Sequence, residues 1–289
     1  MAKINAETAA RYALHAMYAE DMFDPNSQVL DPPLDARIGA AWQCIGYLTA
    51  ANALLGAQSI GLGDRVYYGF VIRSTTDPTQ HIAVIRGTEA VVEWLENVEG
   101  LLVNGPPHGM VEHGFYSIYD SMLYCTVGAP TIAAAPTRSA AQSLVATIPA
   151  GAVLTVIGHS LGAALATYLM ADVARLNSNA FTVIGALFAS PKAGDATYVK
   201  DVDQVVGPDN YVVYNYIRDI VPHVPPSLPF GQGFQALPQA MWINPVKAQA
   251  EIRNDPFCNH HAYCYAAMLD FTAVQVIDPS QRPCVLGKN

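Results

Sequence analysis

From residue 6 to residue 21 apolar and polar side chains recur with a helical period, with Ala9, Tyr12, Ala13 and Met17 on one face, so an amphipathic helix is predicted there. Prolines and the pair Asn26-Ser27 make residues 24–36 a loop. From Ile38 to Ile60 no residue is charged. That length could span a bilayer. Gln43, Thr49, Asn52 and Gln58, the interspersed glycines and the lack of a flanking positive cluster argue against it. A pair of helices, buried or facing substrate, is the expectation. Val66–Arg73 and His81–Arg86 are β-rich and flank a turn at Thr75–Pro78, which predicts neighbouring strands. Glu89–Val98 reads as a short helix, Asn104–Pro107 as a break and Gly114–Tyr124 as a helix. Residues 128–151 read as a loop holding one helix near Ser139–Thr147.

The second half is more regular. An apolar run, Val153 to Ile157, leads through Gly158-His159-Ser160-Leu161-Gly162 into a long Ala/Leu-rich helical pattern, Leu161–Leu176. Strands follow at Phe181–Ala189 and Tyr211–Ile217, then an extended proline-rich loop at Pro222–Pro229, a short strand at Met241–Ile243 and a last helix near His260–Phe271. Strands alternating with helices predict an α/β domain whose mostly parallel sheet is covered on both faces. No repeat or linker divides the chain, so residues 1–289 are read as one domain.

Composition narrows the function. Only 13% of residues are charged, against a usual ~25%, and 52% are hydrophobic, which points to a large core or to a surface that meets lipid or greasy substrate. The formal net charge of −9, without a basic patch, argues against nucleic acid and against docking on anionic membranes. Five cysteines leave at least one unpaired, and none shows metal-site spacing, so neither a metal nor a cofactor is expected. The start, Met1 to Glu7, lacks the apolar core of a signal peptide. Reduced thiols in the cytoplasm are therefore the default expectation, with secretion open if a leader has been removed.

The strand–turn–helix context gives Gly-x-Ser-x-Gly its meaning. Gly158 and Gly162 allow a turn tight enough to lift the Ser160 hydroxyl above the sheet, beside the free N–H groups of a helix start. Such a serine needs a base to take its proton and a carboxylate to orient that base. Downstream, Asp219 stands directly after an apolar strand, on the sheet edge where such folds place their sites. The histidines beyond the turn are His223, His260 and His261. An oxyanion needs two N–H donors. Leu161 follows the serine, and Arg86-Gly87-Thr88 ends an earlier strand, although Thr88 there reads equally as a helix cap.

In one order, Ile85-Arg86-Gly87-Thr88, Trp94-Leu95-Glu96-Asn97-Val98, His113-Gly114-Phe115, Gly158-His159-Ser160-Leu161-Gly162, Ser190-Pro191 and Asp219-Ile220-Val221-Pro222-His223-Val224-Pro225-Pro226 resemble the fungal-type (class 3) triacylglycerol lipases over residues 66–271. The resemblance implies an α/β-hydrolase fold and hydrolysis of carboxylic esters, with Ser160 as nucleophile, Asp219 as triad acid, and Thr88 with Leu161 as oxyanion donors. It implies a mobile lid carrying Val91, Val92, Trp94 and Leu95, and an ester or lipid substrate met at a lipid interface. A tyrosine commonly follows the family's histidine by three or five positions. Tyr263 and Tyr265 stand so relative to His260, which is preferred over His261. The family's usual Pro-Arg-x-Gly is Pro191-Lys192-Ala193-Gly194 here, and its usual proline-loop arginine is His223. Residues 26–60 and 230–255 look like insertions. A carboxylesterase, a feruloyl-type esterase and a phospholipase A1 share the scaffold; a catalytically silent binding protein is the reading outside enzymology.

Overall fold

The β-rich runs of the sequence form one eight-stranded sheet in a computed structural model that describes residues 4–23, 29, 31–51, 65–87, 100–105, 107–128, 138–227, 233–244, 250–275 and 284–288. In chain order the strands are β1 (Trp42–Ala51), β2 (Arg65–Ser74), β3 (Gln80–Ile85), β4 (Leu123–Thr126), β5 (Val153–His159), β6 (Thr182–Phe188), β7 (Tyr211–Tyr216) and β8 (Ala240–Ile243). In space they run β8-β7-β6-β5-β3-β2-β1-β4. β8, β7, β6, β5 and β3 are parallel. β2, β1 and β4 extend the sheet antiparallel. The mostly parallel α/β-hydrolase sheet is thus present, with a hairpin-built extension at one side.

Alternation along the parallel strands feeds two cores. On β7, Tyr211 and Val213 face one side and Val212, Tyr214 and Tyr216 the other. The first face is covered by α2 (His113–Asp120), α3 (Ala140–Thr147), α4 (Leu161–Leu176) and α5 (Ala196–Val206). The second is covered by α1 (Ala6–Phe23) and by α6 (Pro256–His260) and α7 (Ala262–Leu269), of which α7 packs on α1 and α6 on α7. Among the described residues no helix is long and apolar enough to cross a membrane.

Four expectations are corrected. Part of Ile38–Ile60 is not helical: Trp42–Ala51 is β1, paired on both sides by β2 and β4. A strand with neighbours on both edges and cover on both faces carries a nearly continuous apolar run, which periodicity cannot tell from a buried helix. The helix expected over Gly114–Tyr124 stops at Asp120, because the chain from Leu123 is drawn onto the edge of β1. The last helix is broken at His261, between α6 and α7. Reduced thiols give way to a Cys258–Cys284 disulfide, with Cys44, Cys125 and Cys264 free. The helix expected over Glu89–Val98 lies outside the described residues.

Candidate active site

The turn between β5 and α4 is a single residue. Ser160 holds φ 58° and ψ −130°, a strained backbone for any side-chain-bearing residue. Its N–H donates to the carbonyl of Phe188 at 3.0 Å, which fastens the turn to β6. A Cβ on Gly158 would run into the Gly162 carbonyl, and one on Gly162 into the carbonyls of Ile85 and Arg86. Both glycines are thus demanded by close approach. Ser160 is fully buried, and among the described residues its Oγ has no hydrogen-bond partner. Leu161 opens α4, so its backbone N–H is one of those that a helix start leaves without an intrahelical acceptor.

Asp219 lies three residues past the end of β7 and is almost wholly buried. Its carboxylate accepts from the Val221 N–H (2.9 Å) and from the Tyr265 hydroxyl (2.7 Å). His260 Nδ1 stands 3.0 Å from Oδ1 and 2.9 Å from Oδ2. Tyr265 also accepts from the Tyr216 N–H at 2.9 Å, so α7 is pinned to the strand that carries Asp219. Burial, with the charge and hydrogen bond of Asp219, pushes the Tyr265 phenol well above its ordinary range, which keeps it a donor. The other His260 nitrogen, Nε2, is buried and has no partner among the described residues. A hydroxyl and an imidazole nitrogen are both buried and both without a partner among the described residues, and the far side of that imidazole is fixed by a carboxylate. This is the layout of an activated serine.

The other candidates fall elsewhere. The His261 ring caps α7 by accepting from the Tyr263 N–H at 3.2 Å and lies edge-on to Phe257. His223 is exposed and stacks on Trp242, with ring centroids 5.3 Å apart. Thr88 and the lid residues Val91, Val92, Trp94 and Leu95 lie outside the described residues. The strand end that leads to Thr88 is in place: a Cβ on Gly87 would sit 3.1 Å from the Ser160 Cβ. Two residues without a role in the sequence reading also join the site. His159, inside the pentapeptide, packs at a tilt against His260 with ring centroids 4.7 Å apart. Glu20, from α1, reaches the His159 ring. Glu20 follows Ala13 by seven and Met17 by three, so its place on the buried stripe of α1 was the available signal.

A profile of the family described as Lipase (class 3) matches residues 82–228, just over half of the chain. The chain belongs to the class 3 lipases. Over 93 residues this class 3 lipase is 37% identical to a secreted mono- and diacylglycerol lipase of Malassezia globosa, a match covering 32% of this chain and 29% of that one. It is 30% identical over 154 residues to a phospholipase A1 of Oryza sativa subsp. japonica, covering 49% of this chain and 39% of the other. The matched stretches therefore span well under half the length of these relatives. The solved Rhizomucor miehei triacylglyceride lipase shares the fold, with a TM-score of 0.56 at 20% identity over 82% of this chain and 78% of that one. The cytoplasmic expectation is overturned: the Malassezia relatives are named as secreted, and the Cys258–Cys284 disulfide is of the kind that persists in oxidising surroundings.

Proposed function

We propose that this class 3 lipase hydrolyses acylglycerol esters with Ser160 as nucleophile, His260 as general base and acid, and Asp219 as the carboxylate that orients His260. The observation that carries the reading is that Ser160 Oγ and His260 Nε2 are buried and without a partner among the described residues, while Nδ1 of the same imidazole is fixed by Asp219. As Oγ attacks the ester carbonyl, its proton passes to Nε2. The imidazolium that forms is stabilised by the Asp219 carboxylate at Nδ1. The tetrahedral oxyanion is received by the Leu161 N–H and by Thr88. Collapse expels the alcohol, which takes the proton from Nε2. Water then attacks the acyl-enzyme by the same route and releases the fatty acid and the free serine. Every step is a proton transfer or an acyl transfer, so the chemistry calls for no cofactor.

Acylglycerols are the favoured substrates because the low charge of the chain suits a neutral lipid and the Malassezia relatives are named for mono- and diacylglycerols. A phospholipase A1 specificity is the second reading, favoured by the rice relative, whose match covers nearly half of this chain. Residues 89–98 would form the lid, and the parts of 26–60 and 230–255 outside β1 and β8 would shape the acyl pocket within one domain, 1–289.

Hydrolysis of p-nitrophenyl esters from acetate to palmitate, emulsified mono-, di- and triacylglycerols and phosphatidylcholine tests the assignment. Ser160→Ala is expected to lose on the order of 10⁴-fold in turnover with its fold intact, and to lose labelling by a fluorophosphonate. Near-wild-type turnover in that variant ends the reading. Faster release of fatty acid from phosphatidylcholine than from any acylglycerol selects the second specificity.

A further inference from the structure

Glu20 is a carboxylate on the buried stripe of an amphipathic helix, beside Ala16, Met17 and Phe23. Such a group costs free energy unless it is fully used. Its Oε1 stands 3.0 Å from His159 Nδ1 and accepts from the Gly87 N–H at 3.3 Å. On the other side of the ring, His159 Nε2 lies 2.7 Å from the backbone carbonyl oxygen of His260. A carbonyl only accepts, so Nε2 must carry a proton. Nδ1 faces an oxygen of the carboxyl group. Burial alone would push Glu20 up, yet the hydrogen bond and charge of His159 bring it below its usual value. Burial alone would pull His159 down, yet the hydrogen bond and charge of Glu20, the His260 carbonyl and the charge of Asp219 raise it. Both shifts favour the same state, an ionised Glu20 against a doubly protonated His159.

Three pieces of the site meet at this pair. His159 precedes Ser160 at the end of β5. Gly87 follows β3 and precedes Thr88. His260 ends α6. Glu20 brings a fourth element, α1, from 139 residues away. The groups facing the His159 ring are Glu20 from α1, His260 and Tyr265 from α6 and α7, and the charge of Asp219 after β7; His261 acts on Glu20 through its charge.

We infer that Glu20 and His159 are positioning residues, a largely buried carboxylate–imidazolium pair that holds the serine turn, the end of β3 and the backbone of His260 in one register for the reaction. The inference rests on the assignment of Ser160 and His260 given above. It makes α1 part of the active site rather than only part of its cover. Neither residue touches substrate. The pair acts through the geometry of its neighbours, where displacements of about 1 Å cost on the order of a hundredfold.

Two measurements on the full chain test it. In nitrogen-15 NMR of histidine-labelled protein, His159 is expected to keep both ring nitrogens protonated at a pH where an ordinary histidine, near ~6.5, is already mostly neutral. In steady-state kinetics on a soluble short-chain ester, Glu20→Gln is expected to lower kcat about 10- to 100-fold with KM within about twofold. Glu20→Gln added to His159→Gln should cost little more, because both remove one device. Met17→Ala, which removes packing from the same helix face, should lower Tm while leaving kcat of the folded enzyme near that of the wild type. A singly protonated His159 at that pH, wild-type kcat in Glu20→Gln, or an equal kcat loss in Met17→Ala overturns the inference. If Ser160→Ala is inactive while Glu20→Gln is not impaired, the inference falls and the triad stands. If Ser160→Ala is active, both fall.

Discussion

Two adjacent histidines show how much one position decides. Consecutive residues at a helix boundary project in different directions, so one ring meets Asp219 and the other caps α7. His260→Ala is expected to lower turnover on the order of 10⁴-fold, and His261→Ala to cost mainly the capping bond, about 1 kcal/mol of stability; the two turnover numbers check this, and the reverse ranking moves the base to His261. Tyr265→Phe should act twice. It leaves the buried Tyr216 N–H without its acceptor and takes one donor from Asp219, so a loss of about 1–3 kcal/mol in urea unfolding is expected together with lower kcat. His15 gives a pH dependence. Burial pulls it down to about 4, and its Nδ1 has no partner among the described residues. The folded state therefore prefers the neutral ring. The unfolded chain, with its histidine near ~6.5, binds more protons between that value and about 4. The His15 contribution is complete above ~6.5 and is lost as pH falls through about 4. The acid limb of the stability curve should flatten in His15→Leu, as followed by urea midpoints; an unchanged limb assigns the acid loss to other groups. Ser160 and Asp219 were singled out because each sits at a boundary that the local pattern marks, whereas the pattern left His260 and His261 open and only the tyrosine spacing of the resembling family favoured His260. Glu20 was not singled out, since nothing near residue 20 points to a ring 139 residues away.

At the scale of elements, α6 is short and depends on what it is tied to. Asp255 caps it, Cys258 within it is bonded to Cys284, and the strand Ala250–Ile252 just before it pairs with Val285–Lys288. His260 is the last residue of this helix, so the disulfide lies two residues from the proposed base. Closing a loop with a sequence separation of 26 stabilises by about 3.5 kcal/mol in the chain-entropy account. The double variant Cys258→Ser/Cys284→Ser should accordingly lower Tm and also kcat on a soluble ester, since α6 loses its anchor. A lower Tm with unchanged kcat below the melting range confines the disulfide to stability. Element prediction worked where pattern and environment agree. Leu161–Leu176 is apolar with a helical period and lies on a sheet, and the helix has those limits. It failed where long-range pairing decides. β1 became a strand because β2 and β4 flank it, a fact that its uncharged sequence does not contain. α5 was missed although Tyr198, Val199, Val202 and Val206 form its buried stripe, because valines also suit a strand.

For the whole molecule the question is how a chain with net charge −9 would reach the lipid ester proposed as its substrate. Attraction to anionic headgroups is excluded by sign, so approach must rest on apolar surface against a neutral interface. Scattered exposed apolar residues are ordinary. Here three of the most exposed flank the proposed triad in sequence: Ile217 (69%) and Ile220 (56%) on either side of Asp219, and Phe257 (62%) three residues before His260. They lie beyond the carboxyl end of β7 and on α6, the side on which the Ser160 turn leaves β5. Burying an exposed side chain of this size is worth about 1.5–3 kcal/mol, so even partial immersion of two of them changes adsorption on the order of tenfold or more. The variant Ile217→Ser/Phe257→Ser is therefore expected to lose about tenfold on emulsified triacylglycerol and little on dissolved p-nitrophenyl acetate. Trp94→Ala should show the same asymmetry if residues 89–98 cover the site and turn over at the interface. Equal losses on both substrates in either variant would mean that these side chains serve the pocket or the fold. In that case the low charge of the chain reflects its two cores and not its meeting with lipid.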